Sequence, residues 1–421
     1  MTIGSHVTSF NDEPEDDVVD DIADSGELPD DVAEEADLLA PADDLSAEDV
    51  SDMVSYTLDW SVQSLLERIG TTFNINPAFQ RRDAWGRDRK SLYIESLMLG
   101  LPVPQVVLAE DKDRRGSFLV LDGKQRLVTM KQFAAPDDKF PALRLRRMQF
   151  LPQLDNRTFA DIRESLTDSE YVENLLAQPV RTIVLRNWQR PAVLYQVFLR
   201  LNQNSVSLSP QELRQALFPG DFTTWINERS ARSADIHRAR RIKKEDFRMR
   251  DAEMLPRAIA WHDRLAEYGG NLRSFLDDQC RIGLRDWAAR QDEYESMAQG
   301  VEVAIRRTEA VFQGDAFLRW QNERYIPRFN IAVYDMMTTI FSSPVITEEL
   351  LMGKEVRLRS SFEFLCREND RFAQSLATTT KTTSVTGYRV AAYSKAVEEA
   401  LGVTLPVREV AEQLVARGTA K

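Results

Sequence analysis

The sequence predicts an α+β protein: a small mixed α/β domain, then a larger all-helical domain, both preceded by a disordered acidic tail. Three observations carry that prediction. Short β-rich runs bounded by turn residues occur only as far as residue 188. Beyond residue 190 the apolar residues recur at helical spacing almost without a break. The first 55 residues hold 19 acids and no Lys or Arg. At 421 residues the chain is long enough for two or three domains with ample buried surface, and the expected division is 1–55, 56–190 and 191–421.

The net charge of -13 hides this asymmetry. With the tail set aside, 48 acids face all 54 bases, so the body carries +6. The tail is aromatic-poor and cannot bury enough apolar surface to offset its ordering entropy. Two roles suit it: a solubilising block of like charge, or a polyanion that folds over a basic groove and competes with nucleic acid. Cys280 and Cys366 lie far apart, with no CxxC spacing and no His nearby. That argues against a zinc site and against a disulfide-stapled secreted domain. The N-terminus lacks the basic and apolar regions of a signal peptide, and no apolar run reaches membrane-spanning length. A cytoplasmic protein with no membrane contact is the expectation.

Order is expected from Tyr56 onward. In LDWSVQSLLERI, the positions Leu58, Val62, Leu65, Leu66 and Ile69 read as one amphipathic helix. Pro77 and Gly86 break the period, and SLYIESLMLGLPVP resumes it through Leu92, Ile94, Leu97, Met98 and Leu99 until Gly100 and Pro102 stop it. QVVLAE and SFLVLD are adjacent strands separated by the polar loop DKDRRG, and VRTIVLRNW, from Val180 to Trp188, is a further strand closing a small mixed sheet. PAVLYQVFLRLNQ, SPQELRQALF, AEMLPRAIAWHDRLAEYG, MAQGVEVAIRRTEAVF, RFNIAVYDMMTTIF and SKAVEEALG then read as helices.

The stretch LVLDGKQR, residues 119–126, is the first candidate for chemistry. Asp-Gly after an apolar run signals a hairpin, but Leu127, Met130 and Phe133 continue at helical spacing, so the pair joins a strand to a helix. Such a junction leaves backbone N–H groups unpaired at the helix start, where the dipole favours an anion. Gly123 allows close approach, Lys124 and Arg126 add positive charge, and Asp122 suits a magnesium ion or an oriented water. On these five residues alone, a tight turn with exposed polar side chains stands ahead of a phosphate site. No GxxxxGK[ST] and no GxGxxG occurs, which excludes the common nucleotide loops.

Three further clusters stand out. In PAFQRRDAW, Gln80, Arg81 and Arg82 offer phosphate-binding forks or an exposed salt-bridge segment beside a packed Trp85. In VFLRLNQNSVSLSPQELRQA, Ser209, Pro210 and Glu212 form a capping box, which leaves Arg200, Asn202 and Arg214 unexplained. Arg229 to Arg250 holds nine Lys or Arg against three acids, either a solvated face or a contact for nucleic-acid phosphates through Arg238, Arg240, Arg241, Lys243 and Lys244. Histidine is limited to His6, His237 and His262, too few and too scattered for an HNH-type nuclease, and PDDK at 136–139 reads as a loop. No protein-built metal site is expected.

INPAFQRRDAW, LMLGLPVPQVVL, VLDGKQRLVTM, VFLRLNQNSVSLSPQELRQALF and FRMRDAEML, in that order and spacing, resemble the N-terminal domain family of GmrSD-type modification-dependent restriction endonucleases, part of the ParB/sulfiredoxin-like superfamily. The resemblance covers roughly Tyr56 to Ile259. It implies a ParB-like module that binds and hydrolyses a nucleoside triphosphate, with magnesium as a candidate companion, through an Asp-Gly-Gln-Gln-Arg signature. Carried onto this chain, Asp122, Gln125 and Arg126 are the expected catalytic residues, and Gln80, Arg81, Gly123, Lys124, Arg200 and Asn202 the expected nucleotide contacts. Lys124 stands where the signature has Gln, which strengthens phosphate binding and leaves turnover open. The implied role is a sensor or regulatory subunit of an anti-phage system acting on DNA, including modified phage DNA, with a separate nuclease subunit doing the cutting; the oligomeric state stays open. The alternatives are a non-catalytic ParB-like DNA-binding module and an inert scaffold.

Overall fold

A computed structural model describes residues 45–74, 85–112, 114–201, 210–242, 249–377 and 382–419. The expected acidic tail falls mostly outside these residues. Ordered structure begins before the expected boundary, with a helical turn α1 (Glu48–Ser51) and a strand β1 (Val54–Ser61).

The region expected as one helix from Leu58 divides at Ser61. Tyr56, Leu58 and Trp60 are half-buried on alternate positions of β1, and all eight residues pair antiparallel with β5 (Pro179–Arg186). The Ser61 hydroxyl then accepts from the Ser64 N–H and starts α2 (Val62–Arg68). Leu58 fits a period of two and a period of 3.6 equally, and the available partner strand decides between them.

After β2 (Phe73–Asn74) comes α3 (Arg87–Met98), then β3 (Val106–Glu110), β4 (Phe118–Asp122) and α4 (Lys124–Ala134). Two short helices, α5 (Phe159–Arg163) and α6 (Ser169–Ala177), precede β5. The sheet order is β1-β5-β3-β4-β2. β3 runs parallel to β5 and antiparallel to β4, and β2 runs parallel to β4, so the sheet is mixed.

Both faces of the central strands are buried. Val106, Leu108, Val120 and Val184 pack with residues of α2, α3, α4 and α6 on one face. Val107, Ala109, Leu119, Leu121 and Leu185 meet Trp188, Leu194, Tyr195 and Phe198 on the other. The last three belong to α7 (Pro191–Leu201), so the first helix past residue 190 completes the α/β layer. α8 (Pro210–Leu217) follows it, and Leu217 joins the same core.

The remaining region is helical apart from one hairpin. α9 (Asp221–Arg232), α10 (Ala234–Arg240) and α11 (Arg250–Arg264) lead into the 41-residue α12 (Leu272–Phe312), which kinks at Arg290. The strands β6 (Leu318–Gln321) and β7 (Arg324–Phe329) depart from the expected all-helical reading. Asn322 and Glu323 both take positive φ between them, the geometry of a type I′ turn, and Trp320 stacks edge-on against Tyr325. The helices α13 (Ile331–Phe341), α14 (Glu348–Leu351), α15 (Glu355–Glu368), α16 (Asp370–Ala377), α17 (Thr383–Leu401) and α18 (Pro406–Thr419) close a core that includes Trp261, Tyr334, Phe362 and Tyr393.

One buried polar cluster ties the two regions together. Asp277 on α12 accepts from Tyr195 of α7 at 3.1 Å and from Arg214 of α8 at 3.0 Å. Arg214, unexplained in the sequence, is fully buried and also donates to Gln211 at 2.7 Å. Removing Asp277 strands two donors in a dry site, so Asp277→Ala is expected to destabilise the protein by about 3–5 kcal/mol in urea unfolding; a loss below about 1 kcal/mol would count against the cluster as an anchor.

Candidate functional site

Strand β4 ends at Asp122 and α4 begins at Lys124, so Gly123 alone makes the turn. Its φ of 96° and ψ of 10° are left-handed, a conformation glycine adopts at little cost. A Cβ here would stand 2.9 Å from Val106 Cγ2 and 3.2 Å from Arg126 Nη2. Backbone and surroundings therefore both require glycine. The structure bears out the strand-to-helix junction and rejects the hairpin.

The junction is locked from both sides. The Gly123 N–H donates to Asp122 Oδ1 at 2.7 Å. Arg126 folds back one helical turn, and its Nη2 donates to Asp122 Oδ2 at 2.7 Å and to the Gln105 carbonyl at 2.9 Å. One carboxylate oxygen thus holds the turn and the other holds the arginine. A bulge between Val107 and Leu108 disturbs the ladder beside Val107, the partner of Asp122, and such bulges re-aim strand ends. α4 has no side-chain cap and no acid in its first turn. Its leading N–H groups keep the polarity that suits an anion, beside the half-buried Lys124 and Gln125.

α3 supplies the neighbouring wall. Lys90 is 7% exposed and donates from Nζ to Gln132 Oε1 of α4 at 2.8 Å. Burial pushes its ammonium down to about 8. Tyr93, also buried, packs edge-on against Trp85. Burial raises its phenol well above the ordinary range, while the charge of Arg126 acts in the opposite direction. Neither the Tyr93 hydroxyl nor Arg126 Nε has a hydrogen-bond partner among the described residues. The sequence held a signal for Lys90: it shares a stripe with Ile94 and Leu97, a charge on an apolar face.

Of the expected site residues, Asp122, Gly123, Lys124, Gln125 and Arg126 are consecutive at this junction. Arg200 is exposed in the last turn of α7. Gln80, Arg81, Asn202, Lys243 and Lys244 lie outside the described residues, as does the cap residue Ser209. In the basic run, Arg238 pairs with Asp235 and Glu309, Arg241 donates to the Gly314 carbonyl at 2.6 Å, and Arg240 lies 4.6 Å over the Phe329 ring. Arg229, at the start of that run, is held by Glu295 and Glu302. The described part of the run is therefore largely engaged within the protein.

Among the described residues no cluster of His, Cys, Asp and Glu is built to hold a metal ion. Burial pushes both thiols, Cys280 and Cys366, up to about 12, which suits inert packing. Among the described residues no helix is long and apolar enough to cross a membrane.

Taken together, these features define a mixed α/β module in which a glycine turn joins a buried strand to a helix start with no side-chain cap. Residues 62–219 match the family described as GmrSD restriction endonuclease, N-terminal domain. Over that span the chain is similar to the N-terminal domain of a restriction endonuclease. No curated protein and no solved structure matches the chain. The matched span ends just past α8, which agrees with the packing of α7 on the sheet.

Two outcomes test this geometry. Gly123→Ala is expected to lower stability by about 1–3 kcal/mol by chemical unfolding, from the positive φ and the contact with Val106; a neutral effect would deny the strain. For Lys90, the folded value near 8 lies below the ordinary 10.5. Between those two pH values the unfolded chain binds the extra proton, so stability rises with pH across the window. Lys90→Met should flatten that rise in a pH series of melting temperatures, and an unchanged slope would show that Lys90 does not titrate this way.

Proposed function

We propose that the Asp122–Arg126 junction binds a nucleoside triphosphate and hydrolyses it, serving as the sensing or regulatory part of a restriction-type system that acts on DNA. The observation that carries this reading is the Gly123 turn. It brings the uncapped start of an 11-residue helix to the end of a buried strand, with room for no side chain at the point of approach. Phosphate oxygens suit such N–H groups, and Lys124 supplies a compact cation beside them.

Each residue has a physical task in this reading. The backbone of Gly123 and the first turn of α4 receive a phosphate, and Lys124 neutralises its charge. Asp122 is held by Gly123 and Arg126 in one orientation, the placement needed to orient an attacking water. Arg126, tied to Gln105 as well, stabilises charge developing on the transferred phosphoryl group. Gln125 assists Asp122 with the water, and Gln80, Arg81, Arg200 and Asn202 close the pocket. A magnesium ion, held by one carboxylate and the phosphates themselves, suits Asp122. It would supply further charge neutralisation.

In the same reading DNA is the polymer sensed and a separate nuclease subunit cuts it. Asp122→Ala is expected to reduce phosphate release by at least about a hundredfold while the melting temperature stays within a few degrees. Equal release from variant and wild type removes the catalytic assignment. Lys124→Gln restores the signature residue, and comparing its release with wild type separates holding a nucleotide from turning it over.

A further inference from the structure

The segment between α4 and α5 carries a cationic surface that the candidate site does not use. Along residues 143–151 the side chains divide cleanly. Leu143, Leu145, Met148 and Leu151 are buried in the α/β core, while Arg144, Arg146, Arg147 and Phe150 face solvent. Phe150 is 67% exposed and the Arg147 side chain 70%. A large aromatic ring left in water beside three arginines has no packing reason among the described residues.

The loop is held rigidly in this presentation. Glu95 of α3, 2% exposed, accepts from three successive N–H groups: Gln149 at 3.1 Å, Phe150 at 2.7 Å and Leu151 at 2.8 Å. The Arg146 N–H donates to the Ser91 hydroxyl at 2.9 Å, and the Met148 N–H to Asp155 at 2.9 Å. Arg87 braces the far side by donating to the Arg144 carbonyl at 2.5 Å and the Leu145 carbonyl at 3.1 Å. Arg147 itself sits at φ 54°, a left-handed conformation that disfavours a non-glycine residue. One helix, α3, together with Asp155 and a left-handed residue thus fixes an outward row of arginines.

The charges on this row are only partly matched. Arg146 and Arg147 share one carboxylate, Asp88, at 3.5 and 2.9 Å, and Arg144 reaches Asp161 at 3.6 Å and the Asn156 carbonyl. These pairs are exposed and worth little in water, so phosphate oxygens can replace them. Arg238, in contrast, pairs with two carboxylates, Glu309 and an Asp235 that it shares with Arg306.

We propose that the 144–150 loop is a docking surface for the DNA backbone, with Arg144, Arg146 and Arg147 on successive phosphates and Phe150 against the sugar or an unstacked base. Forked guanidiniums match phosphate geometry, and an exposed aromatic beside them is the pairing that nucleic acid rewards and an acidic protein surface does not require. The choice of DNA rests on the restriction-type reading of the chain; the loop is separate from the nucleotide site.

The test uses the full chain and a fluorescein-labelled duplex, with affinity measured across a salt series by anisotropy. The combined variant Arg144→Ala/Arg146→Ala/Arg147→Ala should flatten the slope of log K against log salt by about 2–3, since each phosphate contact contributes about 0.9. Phe150→Ala should weaken binding about tenfold and leave the slope unchanged. Arg147→Gly serves as the variant that cannot fail by unfolding, because glycine accepts φ 54° freely; it should flatten the slope by about 1. Wild-type slopes retained in the triple variant and in Arg147→Gly overturn the proposal, as does wild-type protein that does not bind the duplex at low salt. Nucleotide binding, measured on the same preparations, should be unchanged throughout; its absence in every protein, wild type included, would fault the nucleotide reading and leave the loop assignment to the salt slopes.

Discussion

Strands β3 and β4 are buried on both faces, and the rest of the α/β region follows from that burial. A strand with no solvent face can carry its polar functional groups only where it ends. β4 ends on Asp122, and the chain must turn away at once into a helix that covers the same sheet. Glycine is the residue able to make that turn against Val106, and the helix beyond it presents its leading N–H groups at the place where the strand stops. The polar junction is thus a consequence of the sheet's double coverage, with Arg126 and Asp122 fixing its shape.

Arginine is used mainly as a structural residue here. Arg257 makes a two-pronged contact with Asp335 at 2.6 and 2.7 Å inside the helical core, joining α11 to α13. Arg214 does the same work between α8 and α12, and Arg229 between α9 and α12. A mildly basic body is consequently less available to a polyanion than its count of cations suggests. What distinguishes the 144–150 loop is that its backbone is anchored by Glu95 and Ser91 while its guanidiniums stay in water.

Much of the candidate site was legible in order. Helical spacing at Leu127, Met130 and Phe133 argues against a hairpin after Asp-Gly, and the strands at 106–110 and 118–122 lie where the short β-rich runs put them. The errors have physical causes. Leu58 suits two periods, so β1 reads as helix until β5 is there to pair with it. The β6–β7 hairpin hides in QNER because its turn needs two residues at positive φ and neither is glycine. The boundary expected after residue 190 rests on the change in period, and α7 beyond it packs on the sheet's second face.

The acidic tail, the polar junction at 122–126, the helical character past residue 190 and the resemblance to the family that residues 62–219 match can all be read along the chain. These are local properties, set by spacing, composition and the conformational freedom of one glycine. Which arginines meet buried or paired carboxylates, that Lys90 is buried and donates to Gln132, and that Glu95 holds a row of cations outward emerge on folding. Those outcomes depend on partners far apart in the chain, such as Arg214 and Asp277 or Arg257 and Asp335. Charge counted along a sequence carries no record of which acid will lie across from it after folding.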